Sequence, residues 1–402
     1  MFKKVKFFNN HIENLDKYKK NLKKTKFYFN SFVEDLKNNK IPLLESYDKN
    51  YEFSFSAETV KKFSKYKNII IIGMGGSILG AKSIHSFFKE KVKKKIFFFD
   101  NLDFDLHFKF KKIENLNNSC FILSGKSGNT IENIANLGAI FSKKLFKNKL
   151  IVITEISNNS LMNVANKYHA EIIAHKEFIP GRYSVLSETG MFPAALMGLN
   201  LTKFKNLKRL LKNKNFISSL LQNVAYIYTL VSKKINNSVI LNYDSNLNDL
   251  GLWYQQLVAE SLGKKNKGIN SILSFGPKYH HSLLQLYLDG PKDKFFTFFN
   301  SSQKKNKFKI SREIVPNNMK FLKNKNLKQI IDSQCNAVKS VFKLKKISFR
   351  EITFNKKSEE ELGEIFTFFV LETILLARLM NVDPFDQPAV EEVKVETNKF
   401  LR

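Results

Sequence analysis

The sequence predicts a doubly wound α/β fold: two parallel sheets, each sandwiched by helices, preceded by a helical N-terminal segment and followed by a C-terminal tail. Three observations carry this. The chain has 402 residues and 43% hydrophobic content, room for two ordinary domains with cores of their own. Short apolar runs without polar alternation recur, as in strands covered on both faces. Segments with apolar residues at helical spacing alternate with them, the pattern of a parallel sheet wound by crossover helices.

Residues 1–50 have helical spacing in "IENLDKYKKNLKKTKFYFNSFVEDLKNN". A first domain spans 51–205, with strands at "KNIIIIG" (67–73), "KKIFFFD" (94–100), "SCFILSG" (119–125), "KLIVIT" (149–154) and "AEIIAH" (170–175). One helix between them, in "TIENIANLGAIFSKKLF", places Ile131, Ile134, Leu137, Ile140 and Phe141 on one face. A second domain spans 206–380, with strands at "SVILNY" (238–243), "SILSFG" (271–276), "KFFTFF" (294–299) and "KKISFREITF" (345–354). Between the two, "LTKFKNLKRLLKNKNF" reads as a polar bridge. The long apolar helix "ELGEIFTFFVLETILLARLM" closes the second domain, and residues 381–402 form a charged tail.

The net charge of +31 is spread along the whole chain. A nucleic-acid binder would gather its lysines in a stripe or tail interleaved with aromatics, so the charge fits a general field that draws anionic metabolites. No run approaches the ~20 apolar residues of a membrane-spanning helix. The basic N-terminus lacks the apolar stretch and cleavage site of an export signal. Cys120 and Cys335 stand apart with no metal-ligand spacing, which fits a reducing cytoplasm.

Two strand-to-glycine junctions draw the chemistry. In "NIIIIGMGGSILG" (68–80) bare backbone N–H groups could meet an anion. The dinucleotide pattern G-x-G-x-x-G fails at Ile78, and the nucleotide P-loop fails because Ala81 precedes "KS". The second junction, "SGKSGNT" (124–130), offers Lys126 as a point charge, hydroxyls from Ser127 and Thr130, and a helix start. A Ser/Thr-rich helix cap looks similar. Two such loops at the carboxyl ends of parallel strands point to a phosphate.

With four later motifs these loops resemble the glucose-6-phosphate isomerase (phosphoglucose isomerase) family. "IGMGGSILG", "GKSGNT", "PGRYSVLSETG", "AESLGK", "HHSLLQL" and "DPFDQPAVEEVK" follow the family's order from about residue 67 to 394. The resemblance implies two sugar-isomerase (SIS) domains and reversible isomerisation of glucose 6-phosphate to fructose 6-phosphate through a cis-enediolate. It implies no metal or organic cofactor and a homodimer with shared active sites. Departures are Gly125 for a serine, Asn129 for a threonine, and Pro180, Ala389 and Val393 for glycines.

Glu260 lies one helical turn after Gln256, beside the apolar Trp253, Leu257 and Val258, so its carboxylate is either a solvated surface charge or a partly desolvated base. The resemblance makes it the base, with Gln256 holding a sugar hydroxyl or a water. It makes Arg182, otherwise a loop charge after a Pro-Gly turn, the cation that steadies the enediolate. It gives ring opening to His281, otherwise a buried structural histidine as His280 is read to be, and to Lys394, otherwise a solvated charge of the tail. Gly76, Ser77, Lys126, Ser127, Gly128, Asn129, Thr130 and Gln387 complete the implied substrate contacts. Glu132 and Glu188 read as caps or surface. Alternatives are another SIS-type sugar-phosphate isomerase, including one acting on mannose 6-phosphate, and a sugar-phosphate sensor without catalysis. A sensor needs only the phosphate loops, whereas this chain also carries Glu260, Arg182, His281 and Lys394.

Overall fold

The computed structural model describes residues 5–8, 15–141, 146–302 and 308–402. Among them the chain forms two five-stranded sheets. Strand β1 (Val5–Phe8) pairs antiparallel with the last strand, β10 (Phe349–Phe354). The N-terminal segment is therefore not wholly helical, because its first described residues close the edge of a sheet. A helix from Leu15 to Lys37 follows and packs on the helix Lys214–Val231. Asn21 Nδ2 donates to Thr229 Oγ1 across that contact at 2.9 Å.

The first sheet holds β2 (Asn68–Gly73), β3 (Lys95–Phe99), β4 (Ser119–Ser124), β5 (Leu150–Thr154) and β6 (Glu171–Ala174). They run parallel in the order β3-β2-β4-β5-β6. Strands β2, β4 and β5 are buried along their whole length, which is why they read as unbroken apolar runs, whereas the edge strand β3 is partly exposed. The winding reverses between β2 and β4. Ligands of such sheets bind in the crevice at that reversal, outside the carboxyl ends. The loops leaving β2 and β4 are the two glycine junctions.

The second sheet repeats the winding with β7 (Asn237–Asn242), β8 (Asn270–Phe275), β9 (Lys294–Ser301) and β10 parallel in the order β8-β7-β9-β10. The helix Asn248–Leu262 leaves β7 and runs back toward the amino end of β8. A buried polar network fixes it. Arg350, fully buried, donates to Thr297 Oγ1 at 2.8 Å, Asn223 Oδ1 at 2.8 Å and Glu372 Oε2 at 2.5 Å. Tyr254, on the helix, donates to Glu372 Oε1 at 2.7 Å. A buried ion pair of this kind is supported because both carboxylate oxygens find donors.

Three expectations change. The bridge at 201–216 is not polar: it folds into helices Leu201–Phe204 and Leu207–Leu211 and the start of a third, burying Phe204, Leu207, Leu210 and Phe216 while most of its lysines stay outward. The helix Ile131–Ile140 buries Leu137 and Ile140 together with Asn133 and Asn136, while Ile134 and the following Phe141 stay exposed. Glu188 is neither surface nor a plain cap. It is fully buried and accepts from Tyr51 Oη at 2.9 Å and from the Ser54 amide at 3.2 Å. Lys205 lies over the Tyr51 and Phe53 rings, and burial pushes its amine down to about 7.

Candidate active site

The first glycine loop is pressed against the rest of the site, and its lack of side chains is what permits this. A Cβ on Gly76 would stand 2.2 Å from the Gly181 carbonyl carbon. Gly75 has φ +52°, and a Cβ there would stand 2.7 Å from Gln256 Nε2. The loop that ends β2 therefore touches both the Arg182 turn and the helix of Glu260. Ser77 follows, buried in the first turn of the helix Gly76–Phe87.

Arg182 is the hub. It sits in the 3₁₀ stretch Gly181–Leu186 after β6 and is only 2% exposed. Pro180, where the resembling family has glycine, adopts φ −62°, a conformation proline prefers, so this departure is free of strain. The Arg182 fork donates Nε to Ser261 Oγ at 2.9 Å and Nη2 to the carbonyls of Pro384 and Asp386 at 2.6 and 2.9 Å. Its Nη1 donates to Gln387 Oε1 at 2.8 Å and reaches Glu260 Oε2 at 3.4 Å. Most of these acceptors are neutral, so the guanidinium charge is not cancelled, although all five of its N–H donors are engaged.

Glu260 is held at both oxygens, one by Arg182 and the other by Gln256 Nε2 at 2.8 Å, with the side chain 31% exposed. It lines a cavity of about 810 Å³ with Lys264, Asp386, Gln387 and Pro388. Lys264, four residues on, ties the helix end to the segment 383–386, donating to the Asp383 carbonyl and pairing with Asp386 at 2.9 Å. Tyr183 Oη hydrogen-bonds Ser261 Oγ at 2.8 Å and donates to the Pro384 carbonyl at 3.1 Å. Ser261, Lys264 and Tyr183 went unnoticed in the sequence although they lie inside the motifs "AESLGK" and "PGRYSVLSETG".

The second loop is differently engaged. Thr130 is the N-cap of the helix Ile131–Ile140, but its hydroxyl accepts no capping bond. Ser127 is exposed, while Gly128 is buried and donates its amide to Gly125 O at 3.2 Å. Asn129 Oδ1 instead reaches the start of the next helix, accepting from the Ser160 amide at 2.9 Å. A Cβ on Gly125 would meet Asn133 Nδ2 at 2.6 Å, so a serine here, as in the resembling family, would have to push the Asn133 side chain off the Ser124 carbonyl.

A family model for phosphoglucose isomerase matches residues 54–401. The chain belongs to that family. A glucose-6-phosphate isomerase of Methanocaldococcus jannaschii is 34% identical over 346 residues, covering 83% of this chain and 84% of that protein. One from Campylobacter jejuni is 29% identical over 360 residues, covering 83% and 85%. Among solved structures, a hypothetical protein of Thermus thermophilus superposes with a TM-score of 0.82 at 21% identity, covering 99% of each chain. A glucose-6-phosphate isomerase of Chlamydia trachomatis superposes with a TM-score of 0.71 at 18% identity, covering 86% of this chain and 72% of that one.

Arg182, Gln256, Glu260 and Gln387 come together within the phosphoglucose isomerase fold, beside Gly76. His281 and Lys394 do not join them. His281 is exposed in the turn Lys278–His281 beyond the carboxyl end of β8, whereas Glu260 lies toward that strand's amino end. The rise from Asn248 to Glu260 is roughly 18 Å at 1.5 Å per residue. His280 is half-buried and shares a 2.7 Å hydrogen bond with Tyr243 Oη, and burial lowers its pKa. Lys394 lies on the wholly exposed helix Ala389–Leu401 and donates to Glu391 Oε1 at 2.6 Å. Ala389 and Val393, standing where the family has glycines, favour that unbroken helix, since glycine costs ~1 kcal/mol in a helix interior.

Proposed function

We propose that the reversible isomerisation of glucose 6-phosphate to fructose 6-phosphate, the reaction of this family and of this enzyme, runs here through Glu260. The observation that carries this is the Glu260 carboxylate at the cavity wall, steadied by Gln256 and Arg182. With the sugar open, Glu260 takes the proton from C2, and the electron pair shifts to leave a cis-enediolate. Arg182 stabilises the negative charge as it develops, through its own positive charge and by turning an Nη1 donor from Glu260 or Gln387 toward the oxyanion. The proton returns at C1 while the O2 hydroxyl proton passes to O1, leaving the C2 carbonyl and the C1 hydroxyl of the ketose. Gln387, bound to Arg182, and Gln256 are placed to meet sugar hydroxyls.

The phosphate belongs at the two glycine loops, with Ser77 at one and Lys126, Ser127, Gly128 and Thr130 at the other. Both loops border the winding reversal of the first sheet, which supports this reading. Replacing Lys126 and Thr130 together with alanine should raise KM for fructose 6-phosphate roughly ten- to a hundred-fold, the loss of one charge-assisted hydrogen bond or more, with a smaller change in kcat. Steady-state kinetics decide it, and an unaltered KM removes the loop from the site.

His281 serves the site of a second copy, in a two-fold dimer, as its exposure and its position at the far end of β8 from Glu260 favour. Lys394 assists ring opening once its helix is seated. The inactive variants Glu260→Gln and His281→Ala, mixed under subunit exchange, should then regain part of wild-type activity, because one composite site escapes both defects. A fully active monomer by light scattering rules the shared site out. Among the described residues no helix is long and apolar enough to cross a membrane. The buried, unpaired Cys120 and Cys335 support a reducing cytoplasm. A coupled assay of purified protein with glucose 6-phosphate, beside mannose 6-phosphate and glucosamine 6-phosphate, tests the reaction itself.

A further inference from the structure

Lys126, in the second glycine loop, is already engaged. Its Nζ donates to the Glu177 carbonyl at 2.8 Å and stands 3.4 Å from Glu155 Oε1. The backbone doubles this connection: the Glu155 amide and Thr154 Oγ1 both donate to the Lys126 carbonyl, at 3.0 and 3.1 Å. The loop after β4 is thus tied to the end of β5 through main chain and to Glu155 through charge. The other titratable group beside the amine, His175, is 2% exposed, with Nδ1 at the Lys176 carbonyl. Burial and the charge of Lys126 push it down to about 4, so it is neutral and offers Lys126 no countercharge.

We propose that Glu155 is an affinity-tempering competitor that occupies Lys126 until a phosphate dianion takes its place. This rests on reading residues 124–130 as the phosphate grip. The two side chains are 31% and 20% exposed. An ion pair open to water to this extent is weak, so it can be exchanged. A phosphate brings nearly two charges and three acceptor oxygens to a loop that also offers hydroxyls and a helix start. A neutral sugar brings nothing that could displace a carboxylate. Glu155 therefore weakens the hold on phosphorylated ligands and eases their release, because it must be displaced and its own charge repels the bound phosphate.

The test is a four-way comparison of wild type, Glu155→Gln, Lys126→Ala and the double variant. It reads KM for fructose 6-phosphate and the inhibition constant of inorganic phosphate. Glu155→Gln should lower both by about three- to five-fold, the range of a solvent-exposed pair, with a smaller change in kcat. In the Lys126→Ala background the same substitution should give no gain. Glu155→Asp, one methylene shorter, should fall between glutamine and wild type and covers the case of a glutamine variant that folds poorly. Suppose Lys126→Ala raises KM while Glu155→Gln leaves it unchanged or raises it. Glu155 is then an orienting group or a bystander, and the phosphate reading survives without it. If Lys126→Ala itself leaves KM unchanged, the phosphate reading falls and takes this proposal with it.

Discussion

Glu260→Gln should lose ~10²–10⁴-fold in kcat, the usual contribution of a positioned general base. The substitution keeps the length of the side chain and the helix Asn248–Leu262. It also keeps an acceptor for Arg182, whose Nη1 lies 3.4 Å from the carboxylate. What disappears is the basic carboxylate. Affinity for a phosphorylated sugar-acid inhibitor should therefore stay within a few-fold of wild type, because the proposed phosphate contacts lie elsewhere. In deuterated water the wild-type enzyme should place deuterium at C1 of fructose 6-phosphate, since a proton held on a carboxylate can exchange between transfers. Normal turnover by the glutamine variant would falsify the base assignment. A complete absence of solvent label in carbon at slow turnover would argue against the enediolate route.

Arg182→Lys is the second large effect, for a different reason. Lysine keeps the charge but not the fork, and a point ammonium cannot serve Ser261, Gln387, Pro384 and Asp386 in their present directions. On the proposed role of Arg182 the developing oxyanion loses the delocalised cation that steadies it, worth ~10²–10³-fold in kcat. The stretch 383–387 also loses three of its anchors, although Lys264 still holds it at Asp383 and Asp386. Amide exchange at 383–388 should therefore quicken in the lysine variant while the strands of both sheets keep their protection. Near-normal kcat with faster exchange would make Arg182 a clamp for this segment rather than a group acting on the reaction.

What could be seen in the sequence follows from how each residue is covered. Ile69–Ile72 and Phe121–Leu123 announce central strands because helices cover both faces, leaving no place for a polar residue. β1 escapes notice because four residues in a lysine-rich stretch become a strand only through β10, far along the chain. The segment 201–216 misleads because lysines outnumber its buried Phe204, Leu207, Leu210 and Phe216, while their stems can lie over apolar surface. Glu188 misleads for want of its partner, since Tyr51 is 137 residues away. The candidate site shows the same divide. The pair Gln256 and Glu260 is local and can be read from helical spacing. Arg182 meets Glu260 across 78 residues and Gln387 across 205, and no spacing rule reaches that far. Motif resemblance supplied those partners. It could not foresee that Lys394 would lie on an exposed helix or that Lys126 would face Glu155.

The pairing of β1 with β10 also sets an order of events during synthesis. The first sheet is assembled from neighbours in sequence, so it can close while the ribosome is still making the second. The opening strand cannot. At ~5–20 residues per second, roughly 17–70 seconds separate the appearance of β1 from that of its partner. The helix that follows β1 waits as well, with Phe29 and Phe32 uncovered until Lys214–Val231 and Glu359–Met380 arrive to bury them. This segment therefore stays unpacked long after the first sheet can close, with Phe29 and Phe32 open to aggregation for that interval.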